Sequence, residues 1–309
     1  MNERRRGILS RLALFGAAIV WGSSFFVIKG AVDYLPPATL QAVRFSVGAL
    51  VLGAIFWKKV KRLTGSDWLR GLLVGAFLGA ASLVQNVGIQ DTTPGKNAFL
   101  TCVYCIIVPF MFWGVRGERP QAKRFVAAVL CLVGIGLVSL TQRLTIGRGD
   151  LLTLAGGVLY ACHIVSVATA GEDMDPVALS VMQFASAALF SWIYALTFEG
   201  SPASFDWSVW PQVMYLALAS TTLGYLLQVV GQKNAPPAAA SLILSLESVF
   251  GVLFSVLFYG EQMTGRLVLG FAVIFLSVLI SETDLAALPV FRRRGKGHEV
   301  SSKGEKAAS

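Results

Sequence analysis

A succession of long apolar runs, separated by short polar or Pro/Gly-containing turns, constrains the fold of this sequence more than any other feature. A helix needs about 20 mostly apolar residues to cross the hydrocarbon core of a bilayer. Ten runs approach that length, so the pattern predicts an all-α integral membrane protein with ten transmembrane helices. The predicted spans lie at 9–30, 38–57, 68–90, 94–115, 121–140, 149–170, 176–198, 209–232, 236–259 and 265–283.

The composition supports a membrane protein and excludes several other classes. Hydrophobic residues make up 55% of the chain and charged residues only 14%, whereas soluble domains are about 25% charged. Ten spans leave no room for a ligand-binding ectodomain or a nucleotide-binding domain. The net charge of +9 arises from Lys and Arg in connectors and tails, and a nucleic-acid binder would need them on one folded face. We therefore expect no nucleic-acid partner.

Two halves of the sequence align with each other. Trp21–Pro37 aligns without gaps with Tyr160–Pro176, and a second set of matches follows at a constant offset. Five helices per half is an odd number, so the second copy must cross the membrane upside down. The sequence predicts two inverted five-helix repeats, at 9–140 and 149–283, between an N-terminal segment (1–8) and a disordered basic tail (284–309). The offset matches are Gly88, Pro94, Gly117 and Glu118 with Gly231, Pro237, Gly260 and Glu261.

The distribution of basic residues predicts the orientation. Lys and Arg in short loops are retained on the cytoplasmic side. They crowd the N-terminus, 58–70 and 116–124, whereas the equivalent second-half loops contain none (199–208) or only Arg266 (260–266). This inversion places both termini in the cytoplasm and predicts a multi-pass protein of the plasma or inner membrane.

Three segments carry a family resemblance. They are "VWGSSFFVIKGAVDYLPPATLQAVRF" (20–45), "TTPGKNAFLTCVYCIIVPFMFWGVRGERP" (92–120) and "APPAAASLILSLESVFGVLFSVLFYGEQMTG" (235–265). They resemble the EamA type of the drug/metabolite transporter superfamily. The resemblance implies a ten-helix secondary transporter for small metabolites, often an exporter of amino acids or similar compounds. One departure from the family pattern is that Glu247 is followed by Ser248, where the family often has proline.

Glu247 is the outstanding polar residue within the apolar runs. It lies near the middle of the ninth run, and the repeat alignment pairs it with Tyr104. A charge at the bilayer centre costs about 2.5–3.5 kcal/mol on insertion scales. Glu247 either ties its helix to a neighbour by hydrogen bonds or contacts substrate and carries protons in a central cavity.

Further polar residues within the runs are candidates for substrate binding or coupling. His163 is either a packed side chain or a proton relay. Arg44 binds an anionic substrate, reaches the interface, or caps carbonyl groups. Gln85 is a further candidate, as a helix-to-helix hydrogen bond or a cavity amide. Trp21 and Tyr104 are candidates as interfacial anchors or as surfaces on which a substrate stacks.

The start of the fourth run adds a basic candidate. Lys96, Leu100 and Tyr104 are spaced to share one helix face, so Lys96 is either aimed at the cavity mouth or anchored at the interface. Gly71, Gly75 and Gly79 form a smooth stripe on the third run. Such a stripe favours close helix packing, or a surface on which helices slide.

No motif indicates direct use of ATP or hydrolytic chemistry. The sequence contains no phosphate-binding P-loop, no His-Glu-x-x-His and no Gly-x-Ser-x-Gly. We therefore expect no enzyme activity, cofactor or metal. The predicted function is secondary transport of small organic metabolites by alternating access. The expected partners are a small-molecule substrate, the lipid bilayer and coupling protons. A membrane-embedded enzyme or a passive channel remains the alternative.

Overall fold

The structure is a computed structural model that describes residues 3–117, 119–140, 146–170, 173–199, 207–232 and 237–282. The predicted tail at 284–309 lies outside the described residues. Helices account for nearly all of the described chain, and no strand occurs there beyond an isolated bridge between Leu140 and Ile146. The helices are α1 (Glu3–Ala31), α2 (Pro37–Ile55), α3 (Trp57–Val60), α4 (Gly65–Gln90), α5 (Pro94–Thr101), α6 (Tyr104–Arg116), α7 (Ala122–Ser139), α8 (Arg148–Ala170), α9 (Pro176–Tyr194), α10 (Trp210–Met214), α11 (Gly224–Gln232), α12 (Pro237–Phe254) and α13 (Gly265–Glu282).

Several of these helices have the length and apolarity of membrane spans. Among the described residues, seven helices are long and apolar enough to cross a bilayer. The all-helical fold is confirmed, and the helices agree with a membrane protein in length and composition. Two shorter apolar helices cover Ile243–Tyr259 and Gly265–Ser281. The seven long segments are Arg5–Ala31, Pro37–Ile55, Gly65–Gln90, Pro94–Arg116, Ala122–Ser139, Arg148–Thr169 and Pro176–Glu199.

Some element boundaries differ from the sequence-based expectation. The first helix begins at Glu3, so residues 3–8 belong to α1 and do not form a separate segment before it. Three π-helical segments continue or join the helices. A π turn contains one residue more per hydrogen-bonded turn than an α-helix. The spacing of apolar residues in the sequence does not show where such a turn occurs. The π-helical segments are Ala195–Glu199, Tyr215–Leu223 and Ser255–Tyr259.

The predicted fourth span is a single apolar segment, Pro94–Arg116, made of two helices. A tight turn at Cys102 and Val103 separates α5 from α6, with Cys105 N–H bonded to the Cys102 carbonyl. Pro109 lies within α6 and has no N–H to donate to the Cys105 carbonyl. Cys102 and Val103 keep right-handed helical dihedral angles, so the shared face of Lys96, Leu100 and Tyr104 stays a prediction.

Glycines terminate two equivalent helices. Gly117 ends α6 with φ of 75°, and Gly260 follows the π turn after α12 with φ of 74°. A residue with a Cβ is strained in this left-handed conformation, whereas glycine adopts it freely. This explains the glycine of the Gly-Glu pair noted in each half of the sequence.

Helix packing joins the two halves of the chain throughout. α1 packs on α12 and α11, α2 on α9, α4 on α8 and α9, and α7 on α13. The glycine stripe of α4 faces α9. A Cβ at Gly75 would collide with the Ser186 side chain and lie 2.5 Å from the Gln183 carbonyl oxygen, while one at Gly79 would meet Ala187. Gly71 likewise faces Met182.

Candidate functional site

Glu247 lies buried on α12, where its side chain is 6% exposed. The Tyr104 hydroxyl, from the first turn of α6, donates a hydrogen bond to Glu247 Oε1 over 2.7 Å. The Cys102 thiol approaches the same oxygen at 3.8 Å. The break between α5 and α6 thus brings Cys102 and Tyr104 together on one carboxylate oxygen.

A second layer of polar side chains surrounds Tyr104. The Tyr104 and Tyr160 ring centroids are 6.5 Å apart. The Tyr160 hydroxyl donates to Gln85 Oε1 over 3.0 Å, and Gln85 Nε2 donates to Thr101 Oγ1 over 2.8 Å. Ser82 also contacts the Tyr160 hydroxyl. Residues of α4, α5, α6 and α8 therefore form a connected polar cluster beside Glu247.

Trp21 borders the site from α1. Its indole N–H donates to the Ser220 carbonyl over 3.0 Å, and its ring meets Tyr225 edge-on with centroids 5.0 Å apart. The neighbouring Gly22 is packed so closely on α12 that an added Cβ would lie 2.9 Å from the Glu247 carbonyl oxygen. Trp21 is thereby held next to the α12 segment that carries Glu247.

Arg44 is buried on α2 with 6% of its surface exposed. Its Nε donates to Thr221 Oγ1 over 3.0 Å. The guanidinium carbon lies 5.2 Å from the centroid of the Phe45 ring. The expectation that Arg44 reaches the interface is wrong, because the side chain is enclosed among α2 and the 215–223 segment.

His163 and Lys96 lie apart from the Glu247 cluster. His163 Nε2 is 2.8 Å from Gln183 Oε1, which pins α8 to α9. Lys96 Nζ forms an ion pair with the buried carboxylate of Asp150 at the start of α8. Asp150 also accepts a hydrogen bond from Thr92. The Lys96 charge is therefore paired near the helix ends and is not aimed at Glu247.

Two carboxylates that sequence reasoning did not select are bound to helix N-termini. Glu261 accepts hydrogen bonds from Gly95 N–H, Thr93 and Ser255, and so caps α5. Glu199 accepts from the backbone N–H groups of Ala38 and Thr39 at 2.7 and 2.9 Å, and so caps α2. For α2 the available signal was a helix start at Pro36-Pro37, which has no capping side chain of its own. α5 gave no such signal, because the Thr93 side chain already accepts from Lys96 N–H.

Tyr225 and Thr221 were also missed, because a tyrosine or a threonine within an apolar run carries no distinctive pattern. Within the described part of the chain, no group of three or more His, Cys, Asp or Glu side chains could hold a metal ion. The four cysteines are free thiols in this structure.

The chain matches a family model twice, at residues 8–140 and 147–283, and that model describes the EamA-like transporter family. The chain belongs to the EamA-like transporter family. The resemblance seen in the sequence is therefore confirmed, and this EamA-like transporter is a multi-pass membrane protein of the drug/metabolite transporter superfamily. The family points to transport of a small molecule in a lipid environment and away from enzyme activity.

Named relatives agree with this assignment. An uncharacterized transporter of Archaeoglobus fulgidus is 29% identical over 280 residues, which cover 90% of this chain and 87% of the relative. The threonine/homoserine exporter RhtA of Salmonella typhimurium is 25% identical, covering 87% and 88%. RhtA of Escherichia coli is 28% identical over 78% of each chain. A solved crystal structure shares the fold with a TM-score of 0.65, at 18% identity, over 88% of this chain and 95% of that one.

Proposed function

We propose that this EamA-like transporter exports small organic metabolites, amino acids or similar compounds, across the cell membrane by alternating access. The relative named as a threonine/homoserine exporter supports this substrate class. The observation that carries the proposal is the buried hydrogen bond between Tyr104 and Glu247, because it sets a carboxyl group and a connected polar cluster inside an otherwise apolar bundle. Polar groups at this depth are costly unless they bind something.

The proposal includes ten spans arranged as two inverted repeats, at 9–140 and 149–283. Two matches to one family model support it. Equivalent helices of the two halves also make equivalent contacts. α4 packs on α8, and their counterparts α11 and α1 pack on each other. In the same way, α1 packs on α12 and their counterparts α8 and α6 pack on each other. A pseudo-two-fold axis between inverted repeats gives this kind of pattern.

We further propose that both termini are cytoplasmic, with 1–8 and the tail at 284–309 on that side. The charge inversion between equivalent loops supports this orientation. The ends of α1, α4 and α9 and the start of α2 then face outward. On that side, α5 packs against α12, α8, α1 and α4, and Glu261 and Asp150 bind its N-terminal residues.

In this orientation the arrangement corresponds to a state closed on the outside. The α5 contacts would have to separate for substrate release, and the Glu261 and Asp150 hydrogen bonds are the groups that this step breaks. Glu247 lies deeper, on the inner side of the α5–α6 break. It can then exchange a proton or contact substrate from either side as the bundle rearranges.

Proton coupling is part of the proposal. Moving one charge across 100 mV corresponds to about 2.3 kcal/mol, or roughly a fifty-fold concentration ratio. One proton exchanged at Glu247 would therefore suffice for modest export against a gradient. Facilitated diffusion, with Glu247 only a hydrogen-bond partner, is the rival mechanism.

The test is efflux of labelled threonine, homoserine and a wider metabolite panel from cells and from proteoliposomes. We expect efflux with the wild type and its loss with Glu247→Ala. Asp33→Asn, an exposed carboxylate in the turn after α1, is the control and should behave as wild type. If no solute moves faster through wild-type proteoliposomes than through empty liposomes, the transport proposal is wrong.

A further inference from the structure

We propose that Arg44 binds the carboxylate group of the transported solute and so restricts transport to solutes that carry one. The inference rests on the proposed transport function and adds a specificity-determining residue to it. Glu247 in the same region would then face the positively charged amino group of an amino-acid substrate.

The guanidinium of Arg44 has more N–H donors than protein acceptors within the described residues. An arginine side chain has five N–H groups, and within the described residues the hydrogen bond from Nε to Thr221 Oγ1 is the one formed by Arg44. The ion pairs found there are Lys59 with Asp175, Lys96 with Asp150 and Arg148 with Asp91. The terminal nitrogens of Arg44 thus have no protein acceptor in this part of the chain.

Arg44 is a buried cation that has no anionic partner within the described residues. The residue is 94% enclosed, with 6% of its surface exposed, and an uncompensated charge at such a site is strongly destabilising. The planar fork of a guanidinium matches a carboxylate by two parallel hydrogen bonds. Thr221 holds Nε, which leaves the two terminal nitrogens to act as the binding fork.

The surroundings of Arg44 connect it to the Glu247 cluster. Tyr160 and Tyr225 lie in electrostatic range of both Arg44 and Glu247. Tyr225 also contacts Trp21 and Phe184 through its ring, and Phe184 stacks on Phe45 beside Arg44. An aromatic wall therefore runs from Arg44 to the α1 residues next to Glu247. In the proposed site, the carboxylate of the solute would bind Arg44 and its amino group would bind Glu247.

The experiment compares solutes that differ only in the carboxylate. Purified full-length protein is titrated with L-threonine, L-homoserine, acetate and the amides of the two amino acids, and binding is read as thermal stabilisation and by radioligand competition. We expect wild type to bind at least one acid and to prefer it to its amide. Arg44→Gln should lose at least about 30-fold in affinity for the acid, which corresponds to about 2 kcal/mol, and should lose the preference for acid over amide.

Controls separate binding from folding. Arg62→Gln removes an exposed arginine after α3 and should leave the acid preference unchanged. If Arg44→Gln does not assemble, Arg44→Lys keeps a point charge but not the fork, and we expect about a ten-fold weaker acid affinity with the acid preference retained.

The inference is wrong if the wild type binds acids and amides equally or binds no carboxylate. It is also wrong if an assembled Arg44→Gln protein keeps the wild-type preference for acids. Failure of the transport proposal gives a different result, namely carboxylate-dependent binding without any solute movement in proteoliposomes.

Discussion

The Tyr104 hydroxyl donates to Glu247 Oε1 over 2.7 Å, and the two residues lie 143 positions apart, the offset that relates the Gly-Glu pairs of the two halves. Residues at equivalent positions of the two proposed repeats therefore touch each other. Side chains on a pseudo-two-fold axis behave in this way, and such an axis is where inverted-repeat transporters bind their ligands. The tyrosine and the carboxylate give that contact a donor and an acceptor.

Tyr104→Phe should weaken transport without preventing assembly. The substitution removes a hydrogen bond to a carboxyl group, which contributes about 1.5–3 kcal/mol, and leaves the aromatic ring in place. We expect about a ten-fold or larger loss in transport efficiency, measured as initial efflux rates in proteoliposomes. Tyr259→Phe, on an exposed residue of the last turn before Gly260, is the matched control. Equal rates for Tyr104→Phe and wild type would remove the hydrogen bond from the mechanism.

Gly75→Leu should block assembly. A Cβ at Gly75 already meets the Ser186 side chain and the Gln183 carbonyl oxygen, so a leucine must force α4 away from α9. Gly114→Leu is the control, because nothing lies within 4 Å of a Cβ at Gly114. Leu73→Ala, on an exposed face of α4, should also be tolerated. Yield and monodispersity in detergent are the measurements, and a monodisperse Gly75→Leu protein with wild-type transport would contradict the packing argument.

The sequence was sufficient for the positions of most helices. It also identified Glu247 and its repeat equivalent Tyr104 as candidates, but it did not predict the hydrogen bond between them. Apolar runs with turn residues mark helices whose length is set by the bilayer, and a buried carboxyl group is rare enough to be noticed. The pairing of Lys96 with Asp150 was not predictable, since Asp150 belongs to a different helix and only the packing of α5 on α8 brings the two side chains together.

The capping of helix N-termini by carboxylates distant in the chain could not be predicted from the sequence either. Glu199 is far from α2 along the chain, and only the packing of α2 on α9 brings its oxygens to the Ala38 and Thr39 N–H groups. Thr221 and Tyr225 belong to a run that includes a π-helical segment. A π turn shifts the register of the residues that follow it, so a regular 3.6-residue period assigns them to the wrong face.

Asp175 should stabilise the start of α9 in a pH-dependent way. Partial burial raises the pKa of Asp175. Hydrogen bonds from Lys59 and from the Ala178 and Val177 N–H groups lower the pKa by more than burial raises it, so the net pKa lies below the ordinary value. A carboxyl group with a lowered folded-state pKa contributes stability fully above its unfolded pKa of about 3.9. That contribution is lost as the pH falls through the folded pKa.

We therefore expect Asp175→Ala to lower stability by about 1 kcal/mol at neutral pH, as for a lost N-cap, and by less in acid. Lys59→Met should have a smaller effect, because both side chains of the ion pair are about 40% exposed and solvent screens such pairs. Thermal unfolding of both variants between neutral and acidic pH is the measurement. An Asp175→Ala deficit that does not shrink in acid would exclude the carboxylate as its source.

Cysteine labelling in intact cells should distinguish the two faces of the membrane. Thr264→Cys and Asp33→Cys lie at exposed positions of the proposed external loops, and Ser66→Cys lies at an exposed position of the proposed cytoplasmic one. The native cysteines give a low background, because three are buried and Cys162 is half-buried. We expect an impermeant maleimide to modify the first two variants only. Labelling of Ser66→Cys with no labelling of Thr264→Cys would reverse the orientation.

Glu247→Gln should separate proton coupling from solute binding. Glutamine keeps the size of the side chain and an oxygen that accepts from Tyr104, but it cannot exchange a proton. In proteoliposomes with an imposed pH gradient, we expect wild type to accumulate solute and Glu247→Gln to equilibrate it without accumulation. Exchange of labelled for unlabelled solute should persist in Glu247→Gln, since exchange needs binding and conformational change but no net proton movement. If Glu247→Gln accumulates as much solute as the wild type, the coupling proton binds at another residue. If the wild type does not respond to the pH gradient, only the substrate-binding role remains for Glu247.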